Sequence, residues 1–188
     1  MREATDRSFV VVSGLPGSGK TTLARPLAPA LNLPLLDKDD ILERLFESRG
    51  TGDMDWRRTL SRESDALLQR EATESQGAVL ASFWHLPGMP TNSGTPTRWL
   101  SELSAVVVNV RCECPPEIAA ARFRQRKRHA SHLDVESTHA EVLASLQAHA
   151  HLGPLEIGPA IDIDTTGARN MDVLLGEIRS ILGPRGEC

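Results

Sequence analysis

The chain has 188 residues, of which 40% are hydrophobic and 24% are charged. This composition is typical of a soluble globular protein, and the length predicts a single domain over residues 1–188. The formal net charge of −4 excludes a general attraction to nucleic acid or anionic membranes, so we expect neither as a partner. No apolar run approaches the ~18 residues of a membrane helix. Residues 1–8 lack the apolar core of a signal peptide, and three cysteines suggest no disulfide framework, which favours a cytoplasmic location.

Short apolar segments alternate with segments of helical periodicity. The apolar segments predict strands at about 9–14, 33–37, 77–84, 105–112 and 160–164. The amphipathic segments predict helices at about 20–31, 38–48, 56–75, 115–129, 135–150 and 169–182. Residues 86–97, rich in Pro, Gly, Ser and Thr, predict one extended surface loop. This alternation indicates an α/β fold with a parallel sheet covered on both faces, whose ligands bind at the carboxyl edge of the strands.

A glycine-rich turn joins the first predicted strand to the first predicted helix. Residues 14–21 read GLPGSGKT, a full match to the phosphate-binding pattern G-x-x-x-x-G-K-[ST]. The glycines allow successive backbone N–H groups to turn towards phosphate oxygens, and the helix adds its positive end. We expect Lys20 to reach the β- and γ-phosphates and the Thr21 hydroxyl to bind Mg²⁺. The predicted nucleotide-binding residues here are Gly14, Pro16, Gly17, Ser18, Gly19, Lys20, Thr21 and Thr22.

Two other uses of a bound triphosphate are disfavoured by what the chain lacks. A GTPase needs D-x-x-G after its third strand, but the DTTG of residues 164–167 follows the fifth, and N-K-x-D does not occur. A mechanical ATPase usually ends its third strand in an acid, whereas residues 77–85 contain no carboxylate. Signalling and motor functions are therefore weaker hypotheses than phosphoryl transfer.

Three carboxylates follow the second predicted strand, on the edge that carries the phosphate loop. They are Asp37, Asp39 and Asp40, within the segment LLDKDDILERL. A carboxylate there can accept the proton of an incoming hydroxyl group, and Asp39 is the favoured candidate. The structural alternative is that Asp37 or Asp39 only caps the following helix, and the two roles are compatible.

A basic cluster follows the fourth predicted strand. Its members are Arg122, Arg124, Arg126, Lys127 and Arg128. Arg122 and Arg126 are four residues apart and share a helical face, which predicts a lid over the nucleotide at about 115–133. The alternatives are a solvated basic face or an RNA-binding patch, although the aromatic residues of such a patch are absent.

Histidines and tryptophans give weaker signals. His129 and His132 have the spacing of a metal pair but lack an obvious third ligand, so ordinary lid residues are favoured. Trp84, His85 and Trp99 flank the Pro/Gly-rich segment and are candidates for the wall of an acceptor pocket, although a tryptophan more often serves packing.

These residues together resemble the P-loop kinase superfamily, and within it the AAA_33-type small kinases. That group includes chloramphenicol phosphotransferase, zeta-toxin-like kinases, and polynucleotide, shikimate and gluconate kinases. The likeness covers most of the chain, through GLPGSGKTTLA, DKDD, PPEIAAARFRQRKRH and the late DTTG. It implies the three-layer sandwich of P-loop NTPases, with five parallel strands in the order 2-3-1-4-5, a helical lid, and ATP as phosphate donor.

The resemblance also implies roles for individual residues. It assigns Asp37 to the Mg²⁺ shell and Asp39 to the base, Arg122 and Arg126 to the adenine and lid arginines, and Thr166 to the loop beside the adenine. Where relatives often carry an acid or glycines after the third strand, this chain has Ser82, which leaves the second Mg²⁺ contact unassigned.

The sequence therefore predicts an ATP- and Mg²⁺-dependent kinase that phosphorylates a hydroxyl group of a small molecule, such as a sugar, a nucleoside-like metabolite or an antibiotic. Its expected catalytic residues are Asp39, Lys20, Arg126 and Asp37. One alternative is a nucleotide or polynucleotide 5′-kinase, and another is a non-catalytic regulatory protein that binds ATP.

Overall fold

The computed structural model describes residues 7–125 and 138–183. Its centre is one five-stranded sheet in the order β2-β3-β1-β4-β5, in which every neighbouring pair is parallel. The strands are β1 Ser8–Gly14, β2 Leu35–Asp37, β3 Gly77–Ala81, β4 Val106–Glu113 and β5 Ala160–Asp164. The predicted strand order and parallel arrangement are confirmed, and all five carboxyl ends lie along one edge.

Seven helices occur in the described part of the chain. They are α1 Lys20–Ala30, α2 Lys38–Arg49, α3 Met54–Glu74, α4 Arg98–Glu102, α5 Pro116–Gln125, α6 His139–Ala150 and α7 Met171–Leu182. Only α4 lies outside the helices predicted from the sequence. None of the described helices is both long and apolar enough to span a membrane.

Alternate residues of the central strands build two hydrophobic layers. Val10 and Val12 of β1 face one side, where they pack with α1 and α7. Phe9 and Val11 face the other side, where they pack with α3 and α4. Because both faces of β1 are covered, its burial is nearly continuous, as the unbroken apolar run of its sequence predicts.

The segment after β3 corrects one expectation. Residues 86–97 were expected to form an extended surface loop, yet Thr95 is fully buried and pairs with the chain just beyond β3. The Thr95 amide donates to the Phe83 carbonyl (2.7 Å), and the hydroxyls of Ser82 and Thr95 form a buried hydrogen bond (2.6 Å). The composition of this segment favours turns but carries no information about which turn residues fold back into the core.

Candidate functional site

The turn between β1 and α1 has the backbone of a phosphate-binding loop. Gly19 is the N-cap of α1 and has φ +92°, in the left-handed region that favours glycine. Gly17 has φ +80° and lies so close to the Ala119 carbonyl of α5 that a Cβ atom would overlap it. The loop therefore needs glycine at both positions, and the amino end of α1 offers its unpaired N–H groups to an anion.

Lys20 lies inside this loop. Its Nζ atom donates to the carbonyls of Gly14 (3.0 Å) and Leu15 (2.8 Å), at the start of the loop. Its ammonium group can therefore contact an anion that the loop binds. Of the other expected loop residues, Pro16 and Gly17 line a cavity together with Lys20. Ser18 is fully buried, and Thr22 is exposed on α1.

Asp37 connects the loop helix to the carboxylate segment. One of its oxygens accepts from the Thr21 hydroxyl (2.8 Å), and the other accepts from the Asp39 amide (2.9 Å) as the N-cap of α2. Asp37 is 4% exposed, and burial, followed by the nearby Asp39 charge, raises its pKa to about 6. The same carboxylate therefore caps α2 and lies beside the phosphate loop through its bond to Thr21.

The hydrogen-bonded oxygens of Thr21 and Asp37 suit a hard cation. The hydroxyl of Thr21 and the carboxylate of Asp37 are the oxygen ligands that Mg²⁺ takes, usually beside phosphate oxygens and water. A buried carboxylate whose pKa is raised by desolvation is stabilised in its charged form by a cation. These two residues fit Mg²⁺, and no cluster of three or more His, Cys, Asp or Glu ligands occurs within 7–125 and 138–183.

A cavity of about 270 Å³ opens between the phosphate loop and the carboxylates. It is lined by Lys20, Thr21, Asp37 and Asp39, together with parts of α2, α3 and the segment after β3. Asp40, the third candidate, instead pairs with Arg25 of α1 (3.2 Å) at the surface. The structure thus brings five of the eight expected loop residues (Pro16, Gly17, Gly19, Lys20 and Thr21) and two of the three carboxylates to one cavity.

Several residues of this cavity were not predicted from the sequence, among them Arg57, Ser61, Gly94 and Phe123. Within the described residues, the Nε atom of Arg57 is buried without a hydrogen-bond partner, and its guanidinium makes no ion pair. A signal was available in the helical spacing, because Arg57 and Ser61 lie on the face of α3 that continues to the buried Leu68.

The expected nucleotide-binding residues outside the phosphate loop, Arg122 and Thr166, lie where α5 meets the segment after β5. Arg122 of α5 donates from Nη1 to the Thr165 carbonyl (2.9 Å) and from Nη2 to the Thr166 carbonyl (3.2 Å). These bonds hold α5 against the segment after β5, so the structure brings Arg122 and Thr166 together. Arg126 and the other cluster members Lys127 and Arg128, like the His129–His132 pair, lie outside the described residues.

The residues around β3 differ in their roles. Trp84 and Trp99 are both core residues, and their indole N–H groups donate to the Val12 and Pro96 carbonyls. Ser82, the residue directly after β3, is buried and bonded to Thr95. No carboxylate reaches the site from the end of β3.

Comparison with known proteins gives consistent similarities. The family AAA_33, described as an AAA domain, matches residues 9–151. Shikimate kinase 1 of Erwinia tasmaniensis is 34% identical over 146 residues, which cover 75% of this chain and 78% of that protein. A shikimate kinase of Corynebacterium glutamicum is 41% identical over 72 residues, so that the match spans 38% of this chain and 43% of that relative.

A solved structure is similar over nearly the whole chain. It is a candidate kinase from Chloroflexus aurantiacus, with a TM-score of 0.78 and 25% identity. The alignment covers 95% of this chain and 100% of that one.

Proposed function

This chain belongs to the AAA_33 family, within the superfamily of P-loop small-molecule kinases, and from that premise we propose that it transfers the γ-phosphate of ATP to a hydroxyl group of a small molecule. The observation that carries the proposal is the cavity of about 270 Å³, which has the phosphate loop on one side and Asp39 on the other. Such an arrangement suits in-line attack by a bound hydroxyl rather than by water.

The residues of the cavity divide the work of the transfer. The loop amides and Lys20 hold the phosphates, while Thr21 and Asp37 would hold Mg²⁺. When bound, the metal would neutralise charge on the phosphate oxygens. Asp39 accepts the hydroxyl proton as the acceptor oxygen bonds to the γ-phosphorus, the bond to the β-phosphate oxygen breaks, and ADP leaves.

Arginines on α5 and beyond it are proposed to complete the nucleotide site. Arg122, which binds the Thr165 and Thr166 carbonyls, is proposed to pack against the adenine. Arg126 is proposed to add positive charge over the phosphates during transfer. Both assignments rest on the family resemblance and on the position of α5 against the phosphate loop at Gly17.

The hydroxylated end of the acceptor is proposed to be small and to carry an anionic group. The cavity of about 270 Å³ must hold both this end and the reacting phosphate, so the part of the acceptor that enters it is small. The partly buried guanidinium of Arg57, with no ion pair within the described residues, is suited to a carboxylate. The shikimate kinases among the relatives support a hydroxy acid as the acceptor class.

Incubation with γ-labelled ATP, Mg²⁺ and a panel of acceptors tests the proposal. The panel contains sugars, nucleosides, hydroxy acids and hydroxylated antibiotics, with nucleotides and 5′-hydroxyl oligonucleotides as the competing class. We expect label in a small hydroxylated molecule. ATP binding without transfer to any acceptor would instead indicate a regulatory protein, and transfer only to nucleotides or oligonucleotides would indicate the other kinase class.

Asp39→Asn tests the proposed base. We expect the variant to lose about 10²- to 10⁴-fold in kcat while its affinity for ATP is retained. Asp40→Asn is the matched control, because Asp40 is a neighbouring carboxylate that pairs with Arg25 at the surface. Full phosphotransfer by Asp39→Asn would show that Asp39 is not the base.

A further inference from the structure

A second and larger cavity lies beside the proposed phosphotransfer site. Its volume is about 650 Å³, within the range of small-molecule binding sites. It is lined by the carboxyl ends of β1 and β4, the segment after β3, and the connection between α6 and β5. Gly14 and Thr166, two of the expected nucleotide-binding residues, are part of its lining, whereas Lys20, Asp37 and Asp39 are not.

The lining of this larger cavity is mostly apolar. Its hydrophobic walls include Phe83, Trp84, Leu86, Leu152, Pro154 and Leu155. Trp84 and Leu155 are 2% and 5% exposed, so these two side chains are fixed parts of the core. Three charged residues, Arg111, Glu113 and Asp164, also line the cavity. Arg111 is already paired with Asp162 (2.6 Å) and Glu113 (3.3 Å), and Asp164 accepts from the Thr166 amide (2.7 Å). An uncharged, largely apolar group therefore suits this space better than an anion.

One polar group in the lining has a defined hydrogen-bonding role. The Nδ1 atom of His149 lies 2.6 Å from the Ser145 carbonyl, which can only accept, so Nδ1 carries the proton. In the neutral ring Nε2 is then an acceptor. The ring meets Phe83 edge-on, with centroids 5.3 Å apart.

Phe83 lies between the two cavities, because it lines both of them. Gly14 and Leu15, at the start of the phosphate loop, line the larger cavity, whereas the loop from Pro16 to Thr21 lines the smaller one. A molecule whose hydroxyl lies near Asp39 can therefore extend past the Phe83 ring and along the back of the loop.

We propose that the larger cavity binds an apolar, ring-sized part of the phosphate acceptor, whose hydroxyl end occupies the smaller cavity. The inference rests on the proposed kinase function and narrows its substrate class to acceptors that combine a hydroxylated polar end with an apolar group. Phe83 forms the boundary between the two parts of the site.

Binding without turnover gives the first test, using lactate and 3-phenyllactate, which differ by one phenyl ring. Calorimetric titration in the presence of ADP and Mg²⁺ is expected to give an affinity at least about tenfold higher for 3-phenyllactate. Equal affinities, or no detectable binding of 3-phenyllactate, overturn the inference whatever the outcome of the kinase assay.

Variants that fill the larger cavity test whether the preference for 3-phenyllactate arises there. Gly153→Trp is suitable because Gly153 lines the cavity and an added Cβ would meet no atom within 4 Å. Leu152→Trp is a second filling variant, in case the new side chain at 153 turns outwards. The matched control is Gly176→Trp, at a glycine exposed on α7 with equally open surroundings. The phenyl preference should fall below about threefold in at least one filling variant and persist in the control.

The binding and transfer experiments together distinguish a failure of the proposed apolar site from a failure of the proposed kinase function. A phenyl preference that both filling variants retain overturns the inference, because the ring then binds elsewhere. A preference lost on filling supports it, and labelled ATP then tests whether phosphate is transferred to 3-phenyllactate or to a larger aromatic acceptor of the panel. If no acceptor is phosphorylated although this binding pattern holds, the kinase proposal fails while the apolar ligand site stands.

Discussion

Asp37 is a carboxylate that the fold buries while using both of its oxygens. Its bonds to the Thr21 hydroxyl and the Asp39 amide favour the charged form, but desolvation is the larger effect and raises its pKa from the ordinary 3.8 to about 6. The folded protein therefore binds this proton more tightly than the unfolded chain does. Between these two values stability falls as the pH rises, and it stays lower at neutral pH until a cation binds.

Replacement of the Asp37 carboxylate by an amide should remove the loss of stability that its ionisation causes. We expect Asp37→Asn to stabilise the ligand-free protein by about 1–2 kcal/mol more at about pH 8 than at about pH 5, because the wild-type ionisation penalty grows over this interval. Asn can retain the N-cap to Asp39. Denaturant unfolding at the two pH values measures the difference, and Asp40→Asn, at the surface beside Arg25, should show little of it. An equal gain at both pH values would contradict the assigned pKa.

Arg57 presents the opposite charge in the same cavity. Its Nε atom is buried without a hydrogen-bond partner in the described chain, a cost of about 1–3 kcal/mol that a bound anion can offset. We expect Arg57→Met to raise the free energy of unfolding of the ligand-free protein. The variant should also raise KM for anionic hydroxy acids by about 10- to 100-fold and change KM for neutral polyols little.

The neighbouring arginine provides the control for that experiment. Arg58 is exposed on the same helix and pairs with Asp55 at the surface (3.0 Å). Arg58→Met removes the same charge from the same region and should leave KM for both acceptor classes unchanged. If the two variants raise KM equally, the effect comes from the general field of α3 rather than from a contact in the cavity.

At the scale of whole elements, the phosphate loop and α5 are fitted against each other. Gly17 contacts the Ala119 carbonyl of α5, whereas Gly50 at the end of α2 has almost the same φ, +81°, with no atom near its Cβ position. Gly50→Ala should therefore cost only the left-handed backbone, about 1 kcal/mol. Gly17→Ala should cost about 2–4 kcal/mol and weaken ATP binding, because the loop must move away from α5. Thermal unfolding and ATP titration of both variants measure the contrast, and equal losses would show that the contact with α5 is unimportant.

Elements with a strong local pattern were predictable from the sequence. The unbroken apolar run of β1 and the spacing of GLPGSGKT each fix a local structure, and the alternation of strands and helices gave the parallel sheet. The short helix α4 was missed, since its five residues are too few to show a helical period.

The candidate site was predictable only where its residues follow strand ends. Lys20, Thr21 and the Asp37–Asp39 segment were found because parallel strands bring these positions to one edge. Arg57 reaches the same cavity from the first turn of α3, and Gly94 reaches it from a folded-back turn. Their positions depend on contacts between distant parts of the chain, which neither periodicity nor spacing encodes.

At the scale of the whole molecule, one buried amide joins the strand that carries the phosphate loop to the far wall of the larger cavity. Asn109 of β4 is fully buried, and its Oδ1 atom accepts from the hydroxyl of Ser13, the residue before the phosphate loop (2.7 Å). Its Nδ2 atom donates to the carbonyl of Leu155, a wall of the larger cavity (3.1 Å). The strand that carries the loop is thereby fastened to the connection between α6 and β5.

A double-mutant cycle tests whether this amide acts as a single connection. Asn109→Leu keeps the volume but leaves both the Ser13 hydroxyl and the Leu155 carbonyl unpaired, so we expect a loss of about 2–4 kcal/mol in the free energy of unfolding. Ser13→Ala alone should cost about 1–2 kcal/mol, because it leaves Asn109 Oδ1 without a donor. In the double variant both partners of the Ser13–Asn109 hydrogen bond are removed. The loss in its free energy of unfolding should therefore be about 1 kcal/mol smaller than the sum of the losses in the two single variants. Ser64→Ala, which removes a buried hydroxyl bonded to the Ser61 carbonyl of the same helix, should add to Asn109→Leu within about 0.5 kcal/mol. Strict additivity of the Ser13 and Asn109 variants would mean that the phosphate loop and the larger cavity are held independently.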